Sequence, residues 1–249
     1  MAAPAPAPVD AYLVCGGKYH DMDYARLELL KHLAEHDEVR TRVASDYRET
    51  DAIAAADFLV TYTCDVRPSL PQQQVLADFV RGGKRWLALH GTNAVLVFDG
   101  KPPFQTPRSH PLFMQTLGSQ FLGHPPIAPY SVSRCSDDPL VAGIEPFEVE
   151  DELYLCEYHE PLEPLLDTRF RGKAPGFAED DWPDDAPRLV MYRKTVGQGA
   201  VLYLTLGHCR GHYDMRPLMD HYPRVERGAW ELPVFHELVR RGLRWAMER

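Results

Sequence analysis

Several signatures are missing from this chain of 249 residues, and each absence removes a class of function. There is no CxxC pair, so a structural zinc knuckle is not expected. GxSxG is absent, which removes the serine nucleophile elbow. Gly16-Gly17 does not extend to GxGxxG and no P-loop occurs, so no nucleotide cofactor is expected. No apolar run approaches the roughly 20 residues that span a bilayer. Basic residues are outnumbered, 27 Lys and Arg against 36 Asp and Glu, for a net charge of −9. Nothing forms the basic stripe that a phosphate backbone requires, so no nucleic-acid partner is expected. The segment Met1 to Val9 alternates Ala and Pro without a basic or an apolar signal region, and no signal peptide is expected.

Cysteine is scarce: Cys15, Cys64, Cys135, Cys156 and Cys209 are odd in number and widely spaced. They read as free thiols of a cytoplasmic protein. Cys15 is the one candidate nucleophile, before a Gly-Gly turn. Cys209 adjoins His208, but successive strand residues point to opposite faces.

What is present is a repeated design. Arg85-Trp86-Leu87-Ala88-Leu89-His90-Gly91 is an apolar run ending in His and Gly, and Ala200 to His208 repeats it. Each reads as a buried strand with an imidazole at its carboxyl end, where open α/β sheets bind ligands. Histidine suits both proton transfer near neutral pH and metal binding.

Further strands are expected at 11–15, 39–44 and 57–63, with helices from Asp23 to His36 and from Ser69 to Gly82-Gly83. This alternation predicts a parallel sheet covered by helices on both faces. The second half is less regular. Asn93 to Pro111 and Gly172 to Pro187 read as a long loop or lid and a mobile acidic excursion. Short strands are expected at 130–135, 147–149 and 153–156. A hairpin turns at Gly197-Gln198-Gly199, and a last helix starts near Leu232. The domain reading is a flexible Ala/Pro tail over residues 1–10 and one α/β domain from 11 to 249.

The candidate catalytic residues are His90, His208 and Glu152. Glu152 belongs to the acidic run Glu150-Asp151-Glu152, where a carboxylate can fix an imidazole tautomer or act as a base. His124, in the turn Leu122-Gly123-His124-Pro125-Pro126, joins His90 and His208 as a candidate metal ligand. Thr92, Asn93, Tyr154 and Tyr158 are candidate substrate contacts, with Trp182 a further aromatic surface for a sugar ring. His212 and the cluster Tyr158-His159-Glu160 are weaker polar candidates.

Taken together, Gly82-Gly83…Leu89-His90, Phe121-x-x-His124-Pro125, Asp151-Glu152-Leu153-Tyr154 and Gly197-x-Gly199…Tyr203-x-x-x-Gly207-His208 resemble the ThuA-like family, named for trehalose utilisation. The resemblance runs from about residue 11 to 247. It implies a flavodoxin-like three-layer sandwich with a mostly parallel sheet, of the class I glutamine amidotransferase-like type. It also implies that His90 stands where amidotransferases carry a catalytic Cys, and that His208 stands near their catalytic His. Glutamine hydrolysis through a cysteinyl intermediate is therefore not expected.

Two functions follow. One is an enzyme of trehalose-type or keto-sugar metabolism, a hydrolase, lyase or isomerase, whose His-rich pocket acts as acid and base or holds Zn, Mn or Ni. The other is a non-catalytic module that binds a small polyol or regulates. Both expect a small carbohydrate ligand and no membrane partner, and both leave a homo-oligomer open.

Overall fold

Four apolar runs of the first half become neighbouring parallel strands in the computed structural model, which describes residues 7–248. They are β1 (Val9–Gly17), β2 (Val39–Ala44), β3 (Phe58–Cys64) and β4 (Arg85–Leu89). Helices α1 (Met22–Leu33), α2 (Thr50–Ala55) and α3 (Leu70–Arg81) connect them. Helix α2 stands where the sequence reading places no element; six residues are too few to display a helical period. At the start of α3 the Ser69 amide donates to the Gln72 side chain at 2.7 Å. Gly83, at φ +104°, turns the chain out of the helix toward β4.

The second half adds α4 (Pro111–Leu117), β5 (Ser119–Gly123), β6 (Ala128–Arg134), β7 (Phe147–Asp151), β8 (Leu155–Tyr158) and β9 (Glu163–Arg169). It continues with β10 (Gly172–Lys173), β11 (Asp181–Trp182), β12 (Pro187–Val196), β13 (Gly199–Leu204) and α5 (Pro233–Met247). Nine strands form one sheet in the order β2-β1-β3-β4-β13-β12-β9-β6-β7. The pairings are parallel from β2 to β13 and antiparallel beyond it. The parallel part has the flavodoxin strand order, with β13 as the fifth strand.

Side-chain alternation splits the core into two layers. Leu13 and Cys15 of β1 and Leu87 and Leu89 of β4 meet α1 and α5 through Leu29, Leu33, Phe235 and Leu238. Their neighbours Tyr12, Val14, Trp86 and Ala88 meet α2, α3 and α4 through Ile53, Leu76, Phe79 and Phe113. Each large apolar side chain buried this way contributes roughly 1.5–3 kcal/mol. The result is the expected three-layer sandwich.

Three differences from the sequence reading concern the surroundings of the site. The tail reading falls on residues 1–6, outside the described residues, and on Val9 and Asp10, which belong to β1. The acidic excursion contains the pair β10–β11 and places Phe177 against Phe104 and Phe121. Strands β5 and β9 were not expected; β5 pairs with β8 and β9 joins the main sheet.

Candidate active site

Parallel strands β4 and β13 end level with each other, Leu89 opposite Leu204. The residues that follow them, and those that follow β1, therefore share one rim of the sheet. His90 comes directly after β4 with φ +45°, a left-handed conformation rare for a residue with a side chain. Gly91 permits the turn: a Cβ there would lie 2.7 Å from the Thr63 carbonyl oxygen. The Tyr203 hydroxyl donates to the His90 carbonyl at 2.6 Å and accepts the Asn93 amide at 2.8 Å, which holds the turn in place.

The hydrogen bonds behind each ring decide what it presents to the front. His90 Nδ1 lies 2.8 Å from the Thr205 carbonyl. A carbonyl only accepts, so Nδ1 carries the hydrogen and Nε2 keeps a lone pair. His20, just beyond β1, has Nδ1 3.1 Å from the Lys18 carbonyl and is fixed in the same tautomer. The two Nε2 atoms then face each other at 2.8 Å. Two lone pairs repel at that distance unless a proton or a cation lies between them. His208 Nε2 donates to Glu226 at 2.8 Å. Its Nδ1 is buried, without a hydrogen-bond partner, 3.2 Å from Glu152 Oε1.

Glu152 is the common neighbour. Its Oε2 is 3.5 Å from Nε2 of both His20 and His90. Its Oε1 is 3.1 Å from Arg210 and 3.6 Å from His124. The surrounding charge is felt by each group. Burial favours the neutral acid, but His208 and His124 hold the Glu152 carboxyl well below the ordinary range. Burial pushes His20 down to about 3, against the pull of Glu152. Burial also opposes charge on His208, but Glu152 and Glu226 overcome it and raise that ring to about 9.

Asp151 ties the pieces together. Its carboxylate accepts the amides of Glu152 at 2.7 Å, Gly207 at 3.1 Å, His208 at 3.2 Å and Ala229 at 2.8 Å. The end of β7 is thereby clamped to the segment after β13.

One ligand atom from each of His20, His90, Glu152 and His208 lies within 4.8 Å of the others. A tetrahedral zinc ion with bonds of 2.0–2.1 Å sets its ligands ~3.4 Å apart. Around Glu152 Oε2 the separations to the His20 and His90 Nε2 atoms, 3.5 Å each, and between those two nitrogens, 2.8 Å, lie near that value, while His208 Nδ1 is 3.2 Å from the other oxygen, Oε1. Three imidazole nitrogens and a carboxylate oxygen suit Zn, Mn or Ni. Their outer partners are of the kind that orient metal-binding histidines.

A cavity of about 90 Å³ opens in front of this group. His20, Glu152, Tyr154, Arg210 and His124 line it, among aromatic side chains. His90 and His208 sit behind the lining. The Tyr154 hydroxyl reaches His90 Nε2 at 3.2 Å.

The structure gathers His90, His208, Glu152, His124 and Tyr154 of the sequence-derived set. It places the others elsewhere. Thr92 donates to the Leu89 carbonyl at 2.7 Å inside the core. Asn93 donates to Ser119 at 2.6 Å, also away from the cavity lining. The Tyr158 hydroxyl accepts the Leu189 amide at 2.7 Å. Trp182 stacks on Arg188, and His212 stacks on His221. His159 donates its amide to the Gly118 carbonyl, and Glu160 accepts the Leu162 amide. The Cys15 thiol is buried and pushed up to about 12 by that burial, which disfavours the thiolate a nucleophile needs. Sequence reasoning missed His20, Arg210, Glu226 and the clamping role of Asp151. His20 had a signal: like His208, it comes after an apolar strand and a glycine. Arg210 and Glu226 carry no local pattern.

Comparison with known proteins bears on the whole chain. The family model described as ThuA, trehalose utilisation, matches residues 11–225. No curated protein matches the chain. Among solved structures, a ThuA-like protein from Parabacteroides merdae is similar at 13% identity and TM-score 0.67, over 96% of this chain and 90% of that one. A ThuA-like protein from Bacteroides uniformis gives 14% identity and TM-score 0.65, over 98% and 94%. A β-galactosidase from Rahnella sp. R3 gives 12% identity and TM-score 0.56, over 96% of this chain but 31% of that one. At these identities the likeness shows a shared fold.

Proposed function

This chain belongs to the ThuA family, and we propose that it is an enzyme acting on a trehalose-type or keto-sugar at a divalent-metal centre held by His20, His90, His208 and Glu152. One observation carries the reading. Three imidazoles are each pinned from behind, by the carbonyls of Lys18 and Thr205 and by Glu226, so that their free nitrogens converge on one carboxylate. Relative to the sequence-derived ligands His90, His124 and His208, His20 replaces His124. When bound, such an ion polarises a sugar carbonyl or hydroxyl oxygen.

The chain's own groups divide the remaining work. Tyr154 is buried and its pKa is raised far above the ordinary value by burial and by Glu152, so it stays a hydroxyl donor at the cavity floor. His124, with 23% of its side chain exposed, is the imidazole best placed to exchange a proton with a ligand and with solvent. Arg210 balances the charge of Glu152 at 3.1 Å. The cavity has the volume of about six water sites, which suits one sugar ring. The five free thiols fit a cytoplasmic setting, and the four buried ones, Cys15, Cys64, Cys156 and Cys209, are poorly suited to covalent chemistry.

A second reading, a polyol-binding module, draws on the same carboxylate. Glu152 is engaged by Arg210 and by imidazoles on every side, which leaves it poorly placed as a free base. Turnover of trehalose, other disaccharides and their keto forms, with and without chelator, separates the two. The metal reading expects activity that chelation removes and one divalent ion restores. Sugar binding without turnover favours the module. Activity lost on alkylating Cys15 but retained in His90→Ala and His208→Ala rejects both.

A further inference from the structure

Arg210 touches the proposed centre at three places without being one of its ligands. It lies two residues beyond His208, and its side chain is 9% exposed. Nε donates to the Tyr19 carbonyl at 3.0 Å, Nη1 to Glu226 Oε2 at 3.1 Å and Nη2 to Glu152 Oε1 at 3.1 Å. These acceptors belong to the residue before His20, to the carboxylate behind His208, and to the carboxylate ligand itself. Tyr19 has φ +68°, a left-handed conformation rare for a residue with a side chain, and the guanidinium holds the carbonyl of that turn. Arg210 is itself fixed from behind. It exchanges backbone hydrogen bonds with Glu226, and its guanidinium lies 5.0 Å from the Tyr222 ring.

The two oxygens of Glu152 have different neighbours. Oε2 faces Nε2 of both His20 and His90 at 3.5 Å. Oε1 faces Arg210 at 3.1 Å, His208 Nδ1 at 3.2 Å and His124 Nε2 at 3.6 Å. His208 gives its Nε2 hydrogen to Glu226, so when it ligates as a neutral ring its Nδ1 carries a lone pair and does not bond to Oε1. His124 Nε2 lies beyond hydrogen-bonding distance, and its Nδ1 donates to the Pro125 carbonyl. The hydrogen bond that Oε1 receives is therefore the one from Arg210. Carboxylates hold divalent cations through one oxygen or through two. A two-oxygen grasp fills a coordination place that catalytic zinc sites keep for water or substrate.

Resting on the reading that His20, His90, His208 and Glu152 hold a divalent ion, we propose that Arg210 is a positioning residue that occupies Glu152 Oε1. The ion is then held through Oε2 alone, and one coordination place stays free for an oxygen of the sugar. The planar fork of arginine suits this work, because it meets three acceptors in fixed directions. Lysine supplies the same charge as a single point on a flexible stem and cannot hold all three.

The test uses the intact protein loaded with cobalt, whose visible spectrum reports its ligands, and azide as the probe of the free place. Wild type is expected to bind cobalt and to change its spectrum when azide is added. Arg210→Lys keeps the positive charge. It should retain cobalt, now held by both oxygens of Glu152, and bind azide about 10–100-fold more weakly, the worth of one hydrogen bond to a charged group. At saturating cobalt, adding Glu152→Gln to Arg210→Lys should restore the azide response, since an amide ligates through its one oxygen. Equal azide affinity in wild type and Arg210→Lys overturns the proposal, as does an azide response still weak in the double variant. Loss of cobalt together with azide in Arg210→Lys also overturns it, because a structural role alone would have that result. If Arg210→Lys fails to fold, the infrared difference spectrum of wild type on cobalt loading decides, with the Glu152 bands identified by their absence in Glu152→Gln. A carboxylate splitting wider than that of the free anion supports ligation through one oxygen, and a narrower one overturns it. Cobalt bound by wild type with no azide response overturns the proposal while sparing the metal reading. Absence of cobalt binding to wild type overturns both.

Discussion

The two halves of the sheet contribute differently to the site. The parallel half, from β2 to β13, brings imidazoles to one rim: His20 beyond β1, His90 after β4 and His208 beyond β13. The antiparallel half supplies no imidazole to this group. It delivers Asp151 and Glu152 at the end of β7, the strand at the far edge. A doubly wound sheet therefore fixes where the site lies, and the charge that joins the imidazoles comes from outside it. Asp151 couples the halves by holding the amides of Gly207 and His208.

Removing the carboxylate breaks that arrangement most severely. Glu152→Gln removes one of the proposed metal ligands and should lower turnover by at least about 10–100-fold, the loss typical even of an outer partner of a metal ligand, and His90→Ala and His208→Ala should do the same. A Glu152→Gln enzyme with near-normal kcat would mean that the parallel half suffices alone. Asp151→Ala acts on the coupling. It leaves buried amides of Glu152, Gly207, His208 and Ala229 without their acceptor. A loss of about 3 kcal/mol in urea unfolding is expected; a loss below about 0.5 kcal/mol, the size of an ordinary surface substitution, would remove the clamp from the account.

A smaller effect separates the imidazoles by pH. In metal-free protein His20 is held down to about 3 by burial, from an ordinary 6.5. The unfolded chain binds a proton that the folded one refuses, so stability is present above 6.5 and falls as pH drops toward 3. His208 is opposite: burial is overcome by Glu152 and Glu226 and the ring rises to about 9. Its contribution is full below 6.5 and is lost as pH rises through 9. With chelator present, His20→Ala should flatten the acid limb of stability against pH, and His208→Ala the alkaline limb. Identical profiles for the two variants would contradict these assignments. The smallest effect is expected from the thiols. Cys15→Ser and Cys209→Ser should keep turnover within roughly two-fold, since both thiols are buried and pushed up to about 12.

Legibility followed the same division. The continuous apolar runs of β3 and β4 and the periodic stripe of α5 display their structure locally, as do the imidazoles at strand ends. The family motifs were legible too, and the chain's membership agrees with them. Helix α2 and strand β9 were not, being short or mixed in polarity. Thr92 and Asn93 follow His90 in sequence, yet the turn carries their side chains into hydrogen bonds of the core. Arg210 and Glu226 join the site through the closed base of a loop, a contact that no spacing announces.

In the proposed metal centre four groups, His20 included and His124 excluded, hold one divalent ion. Titration of chelator-treated protein with Zn, comparing wild type, His20→Ala and His124→Ala, tests it most directly. One ion per chain is predicted for wild type and His124→Ala, with binding weakened at least ten-fold in His20→Ala, about the loss expected when even an outer partner of a metal ligand is removed. Absence of binding to wild type, or a loss confined to His124→Ala, would contradict the account.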